Sequence, residues 1–224
     1  MGFYIDLGAT HIEAFRIRLA GMSLIPSWKI LKENIDDRFD RIQEQGISNL
    51  EELCLALKSK GKIDQFSKAT GIPNKYLTVL NRVIKGYKQQ PIKLNEFYTM
   101  QGDTTQRLEK VGIKNARHLY DNALSASDRQ KLSLETGVEQ SELLALTKLA
   151  DLTRIRWVNH TFAYVLTLAG YDTAQRVAEA DDMEMYEHVK RANEEHKIYN
   201  AHIGQNDMKM CIESARLLDF EIEC

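Results

Sequence analysis

The sequence predicts an all-α protein with no sizeable sheet, and three observations predict it. Helix breakers are scarce, with only three prolines and twelve glycines in 224 residues. Leu, Ala, Lys, Glu and Gln, good helix formers, crowd the middle of the chain. Most telling, the chain matches itself when position 41 is laid on position 107, and the shared residues fall where helices start, stop and face a core. With 43% apolar and 28% charged residues, the composition is that of an ordinary globular protein able to bury one good core or two small ones.

Taken in order, Phe3-Tyr4-Ile5 reads as a short extended segment, Thr10 as an N-cap for a helix from His11 to about Leu19, and Pro26 as the start of the next element. The repeat then pairs residues 41–83 with 107–149 without gaps, eleven of 43 positions being identical. Ordinary composition would give roughly two or three. Gly46 and Gly112 follow amphipathic stretches and suit the left-handed residue just past a helix end. Asn49 and Asn115, three positions on, are good N-caps, and Asn49 with Glu52 has capping-box spacing. Thr70-Gly71 and Thr136-Gly137 repeat the stop signal, and the next helices begin near Pro73 and near Gln140. Leu77, Leu80, Val83 and Ile84 mark an apolar face, as do Leu143, Leu146, Leu149 and Ala150.

A third, shorter echo follows the second copy, where Leu166, Gly170, Thr173 and Ala174 match Leu108, Gly112, Asn115 and Ala116. Two further helices are expected over Asp182 to Tyr199 and Asn206 to Leu218, the second with Met208, Cys211, Ile212, Ala215 and Leu218 on one face. The predicted organisation is an N-terminal segment (1–25), a first helical unit (26–95), its repeat (96–152), and a third partial hairpin unit with C-terminal helices (153–224).

Residues Ala150 to Ile155, a short turn, an apolar helix to Leu168-Ala169-Gly170 and a second helix after Tyr171-Asp172-Thr173 resemble the helix-hairpin-helix unit. From about Ile30 to Leu218 the chain resembles an uncharacterised bacterial family, a domain of unknown function that strings such pseudo-hairpin units in tandem. The resemblance implies tandem helix-hairpin-helix-like units and raises DNA binding, in which turn glycines let backbone N–H groups meet a phosphate. The corresponding turn Trp157-Val158-Asn159 lacks glycine, and Lys32-Glu33-Asn34-Ile35 lacks one and carries an acid. Thr99-Met100-Gln101-Gly102 has one glycine, so Gly102 is the better candidate contact.

A net charge of −2 hides an asymmetry: nine bases face one acid between Lys58 and Lys93, whereas twelve acids face five bases from Ala178 onward. Lys58, Lys60, Lys62, Lys85 and Lys88 are the candidate nucleic-acid-binding residues, with Tyr87 and the loop Gly86–Gln90 as the freer aromatic element for stacking. Phe66 pairs with Leu132 in the repeat and belongs to the core, and Trp157, among Ile155, Val158 and Phe162, reads as a packing anchor. The expected function is a non-catalytic binding module with weak, sequence-independent nucleic-acid association. The alternative is a protein-interaction scaffold, for an acidic protein or for the chain's own acidic tail in a dimer.

Catalysis is the weakest class, since no P-loop, G-x-S-x-G, H-E-x-x-H or dinucleotide fingerprint occurs. His188 and His196 are eight apart, which is wrong for two ligands on one helical turn, so no metal, cofactor or catalytic residue is expected. Cys54, Cys211 and Cys224 are scattered and read as reduced structural thiols. The first twenty residues hold no uninterrupted apolar stretch, and Asp6 stands where a myristoylation signal needs Ser or Thr. A cytoplasmic protein without membrane association is the expectation.

Overall fold

The computed structural model describes residues 2–97 and 102–224, and among these the protein is all-α: thirteen α-helices, no strand, and two isolated bridges. The chain divides into two compact units, one of residues 5–88 and one of residues 1–4 with 89–224.

The unit of residues 5–88 opens with α1 (Ile12–Gly21) and a 3-10 segment (Pro26–Lys32). His11, not Thr10, is the N-cap and makes no side-chain cap bond, and the Thr10 hydroxyl donates to the Asp6 carbonyl (2.8 Å). Next come α2 (Ile35–Glu44), α3 (Leu50–Ala56), α4 (Lys60–Thr70) and α5 (Asn74–Lys85). Helices α3 and α4 pack on α5, whose Leu77, Leu80, Val83 and Ile84 are fully buried. Phe15, Phe39 and Tyr76 fill the same core, and burial pushes the Tyr76 hydroxyl up to about 12 although the Arg38 guanidinium lies 4.3 Å from its ring.

The larger unit carries α6 (Gly102–Lys110), α7 (Ala116–Asn122), α8 (Ala126–Thr136) and α9 (Gln140–Leu152), with α7 and α8 packed on α9. Helices α3 and α7, and likewise α4 and α8, begin and end at paired positions of the repeat. The punctuation keeps the same register. Gly46 and Gly112 have φ of 78° and 88°, and Gly71 and Gly137 have 69° and 70°, all in the left-handed region that a Cβ disfavours. Asn49 accepts the Glu52 amide (3.0 Å) as Asn115 accepts the His118 amide (2.9 Å). The Glu52 carboxylate, however, takes the Ser48 amide and hydroxyl instead of closing a capping box on Asn49.

After α9 come α10 (His160–Leu168), α11 (Ala174–Glu179), α12 (Asp182–His196) and α13 (Gln205–Ala215). Helices α11 and α12 pack on α13. Gly170 (φ 92°) takes a left-handed turn ahead of the Thr173 cap, and α12 ends on a left-handed non-glycine residue, Lys197 (φ 52°). Its amide donates to the Asn193 carbonyl at 2.7 Å, as Gly71 and Gly137 donate to Ser67 and Ser133 at 2.8 Å. No helix of the described residues is long and apolar enough to cross a membrane.

Candidate anion-binding groove

The first turn of α4 is where the basic stretch acquires a shape. Ser59 is the N-cap and accepts the Lys62 amide at 3.4 Å. Lys58, Lys60 and Lys85 line a groove of about 440 Å³ with Ile63, Asp64 and Asn81, and all three lysines are exposed. Asn74 donates to Asp64 (2.6 Å), which holds that carboxylate on the α4–α5 side. Asn81 is 7% exposed; its Nδ2 donates to the Leu57 carbonyl (2.8 Å) and its Oδ1 has no partner among the described residues. The amides of Ser59 and Lys60 likewise meet no acceptor among the described residues. Unpaired N–H groups at a helix start carry partial positive charge, and three ammonium groups beside them reinforce it.

The other two candidate lysines stand apart from this groove. Lys62 turns its Nζ to the Leu55 carbonyl (3.3 Å), and Lys88 pairs with Glu51 (3.7 Å). Gly102 opens α6 in the larger unit, exposed and outside the left-handed region; Thr99, Met100 and Gln101 of its turn lie outside the described residues. Tyr87 is not a free aromatic: it is 7% exposed and meets Phe15 edge to face (6.3 Å), so it offers no stacking platform. Trp157 is the reverse case, 39% exposed at φ 70° with the Arg156 guanidinium 4.4 Å from its ring, rather than a packing anchor. Phe66 is half-buried.

At the turns of Gly46, Gly112 and Gly170 the amides that follow are already taken. A phosphate clamp there would need the first amides of α3, α7 and α11. Leu50 donates instead to the Thr10 carbonyl (3.0 Å), Ala116 to the Ile92 carbonyl (2.8 Å), and Ala174 to Asp151 Oδ2 (2.7 Å). Asp151 is buried and bonded by Arg154 Nη1 (2.6 Å), which also meets the Tyr120 hydroxyl (2.5 Å) and the Asp219 carbonyl (3.1 Å). Burial pushes the Asp151 carboxyl up against the pull of Arg154.

The same region of the larger unit holds the C-terminal tail. Glu223 donates its amide to the Leu124 carbonyl (3.0 Å), and its carboxylate accepts the first amide of α8, from Ala126 (2.8 Å). Buried Arg129 grips the Glu223 carbonyl (2.6 Å), and the Tyr120 hydroxyl donates to Glu221 (3.2 Å). Sequence reasoning missed this anchoring, since its residues are far apart along the chain and share no motif. Among the described residues no three His, Cys, Asp or Glu side chains are placed to hold a metal ion.

Short capped helices and repeated glycine turns define an all-helical protein, and a groove lined by three lysines lies at the start of α4. The chain belongs to a family described as Domain of unknown function (DUF4332), which matches residues 99–218. No curated protein and no solved structure matches it.

Proposed function

We propose that the protein is a non-catalytic helical binding module, duplicated in tandem with helix-hairpin-helix-like turns, that holds an anionic macromolecule at the basic groove of residues 5–88. The observation that carries this reading is that Lys58, Lys60 and Lys85 line one groove with Ser59, where the amides of Ser59 and Lys60 meet no acceptor among the described residues. Such a site supplies charge and N–H donors, the two things a phosphate or carboxylate oxygen needs. It has no exposed aromatic of its own to stack a base, so nucleic acid bound there is held weakly and without sequence readout. The shared register of α3 with α7 and of α4 with α8 supports the duplication, and the three free cysteines suit a reducing bacterial cytoplasm.

Fluorescence anisotropy with labelled duplex DNA and with polyglutamate, from low to physiological salt, tests the reading. With about three phosphates neutralised, log affinity for duplex falls with log salt at a slope of about −3. The triple variant K58E/K60E/K85E loses binding while keeping its helical circular dichroism. Failure of both polymers to bind at low salt, where surface electrostatics are strongest, overturns the proposal.

A further inference from the structure

The groove at α4 and the seat of the tail at α8 occupy matching positions of the repeat, and their differences are complementary. Lys58 stands where Leu124 stands, Lys60 where Ala126 stands, and Ile63 where Arg129 stands. Those three residues of the larger unit are the ones that hold Glu223: Leu124 through its carbonyl, Ala126 through its amide, Arg129 through its guanidinium. In the larger unit the first turn of α8 is capped twice by carboxylates, from Asp128 to the Ser125 amide (3.3 Å) and from Glu223 to the Ala126 amide. In the unit of residues 5–88 the counterpart of Asp128 is Lys62, and the two matching amides are unpaired among the described residues. Lysine at 58, 60 and 62 in place of Leu, Ala and Asp makes this turn more cationic than the one that already holds an acidic strand.

We infer that the α4 groove is the docking site for an extended acidic segment of another protein, seated as residues 219–223 are seated on α8, with one carboxylate on the Ser59 and Lys60 amides. This rests on the anionic-partner reading and names the partner class. The choice of peptide over nucleic acid comes from the groove's acceptors. Asn81 has a side-chain oxygen that lacks a donor among the described residues, and Asp64, whose carboxylate already accepts from Asn74 (2.6 Å), lines the same groove. A phosphodiester backbone brings only acceptors to these groups, whereas a peptide strand brings N–H donors, as Glu223 does to Leu124. The choice of another protein over a second copy follows from the tail itself, whose residues 219, 221 and 223 are already bonded by Arg154, Tyr120, Arg129 and α8.

The test is anisotropy on the full chain with a labelled, C-terminally amidated peptide carrying the sequence of residues 218–223. Three companions accompany it: the same peptide with both Glu changed to Gln, an oligothymidine of equal length, and the K58E/K60E/K85E variant. The expected result is binding of the acidic peptide that falls at least about tenfold in the variant and in the Gln peptide, because each loses charge-assisted bonds. Equal binding to the variant places the peptide elsewhere and overturns the inference. Binding of oligothymidine through the same lysines with no response to the peptide also overturns it, while leaving the anionic-partner reading standing. Silence of both probes removes the two together. Sedimentation showing a concentration-dependent dimer that is lost when residues 219–224 are deleted would assign the groove to a second copy and overturn the choice of another protein.

Discussion

Replacing Arg154 by Met removes one partner of a buried ion pair and little side-chain volume. Arg154 and Asp151 have side chains 1% and 5% exposed, so among the described residues the carboxylate left behind keeps only the Ala174 amide. Breaking such a pair costs about 3–5 kcal/mol, and the lost bonds to Phe3 and Asp219 keep the value from falling below that range. For a protein of this size a loss of about 3 kcal/mol lowers Tm by about 6–12 °C. The sign of the pH dependence follows from Asp151, whose folded carboxyl is raised by burial and loses in Arg154 its main opposing influence. Between the unfolded value of about 3.9 and the higher folded value, the folded state holds a proton that the unfolded state has released, so stability falls as pH rises. The penalty of R154M is therefore smaller at pH 4 than at pH 7. The double variant D151N/R154M, which removes both charges of this pair, recovers about 1–2 kcal/mol relative to R154M. Urea unfolding followed by circular dichroism at both pH values measures all three. A penalty for R154M below about 1 kcal/mol, or one equal at the two pH values, would refute the reasoning.

Gly46→Ala meets open space but demands a Cβ at φ 78°, so it should cost about 1–2 kcal/mol, whereas Gly21→Ala, at an ordinary φ in α1, should be neutral or stabilising; equal melting temperatures would contradict this. Deleting residues 219–224 strips the carbonyl from buried Arg129 and should cost about 1.5–3 kcal/mol from that bond alone, with faster amide exchange at Ala126; an unchanged exchange rate there would show that Glu223 does not cap α8. Burial pushes the Cys211 thiol up to about 12, so at pH 8 a disulfide reagent should modify exposed Cys224 at once and Cys211 only after denaturation. Cys211 reacting as fast as Cys224 would contradict its burial.

Local chemistry is what the sequence made legible. Asn49, Asn115 and Thr173 cap the helices they precede, Gly46, Gly112 and Gly170 take the left-handed turn, and the repeated leucines of α5 and α9 are buried, because each signal acts within one helical turn. What depended on contacts far apart in sequence was missed. Tyr87 reads as free because nothing near it covers it, yet Phe15 does. Lys88 reads as an open charge, yet it pairs with Glu51. The left-handed end of α12 was hidden because Lys197, not a glycine, occupies it. The groove itself was half legible: its lysines carried the signal, but the unpaired amides and the buried Asn81 acceptor emerge only when α4 and α5 are packed together.

The most direct measurement of the central claim is a two-dimensional amide NMR titration of the full chain with the peptide of residues 218–223. The largest shifts are expected on the Ser59, Lys60 and Gly61 amides and on the Asn81 side-chain amide, and they vanish at high salt. Shifts confined to α8 and its neighbours, or to Gly102, would contradict it.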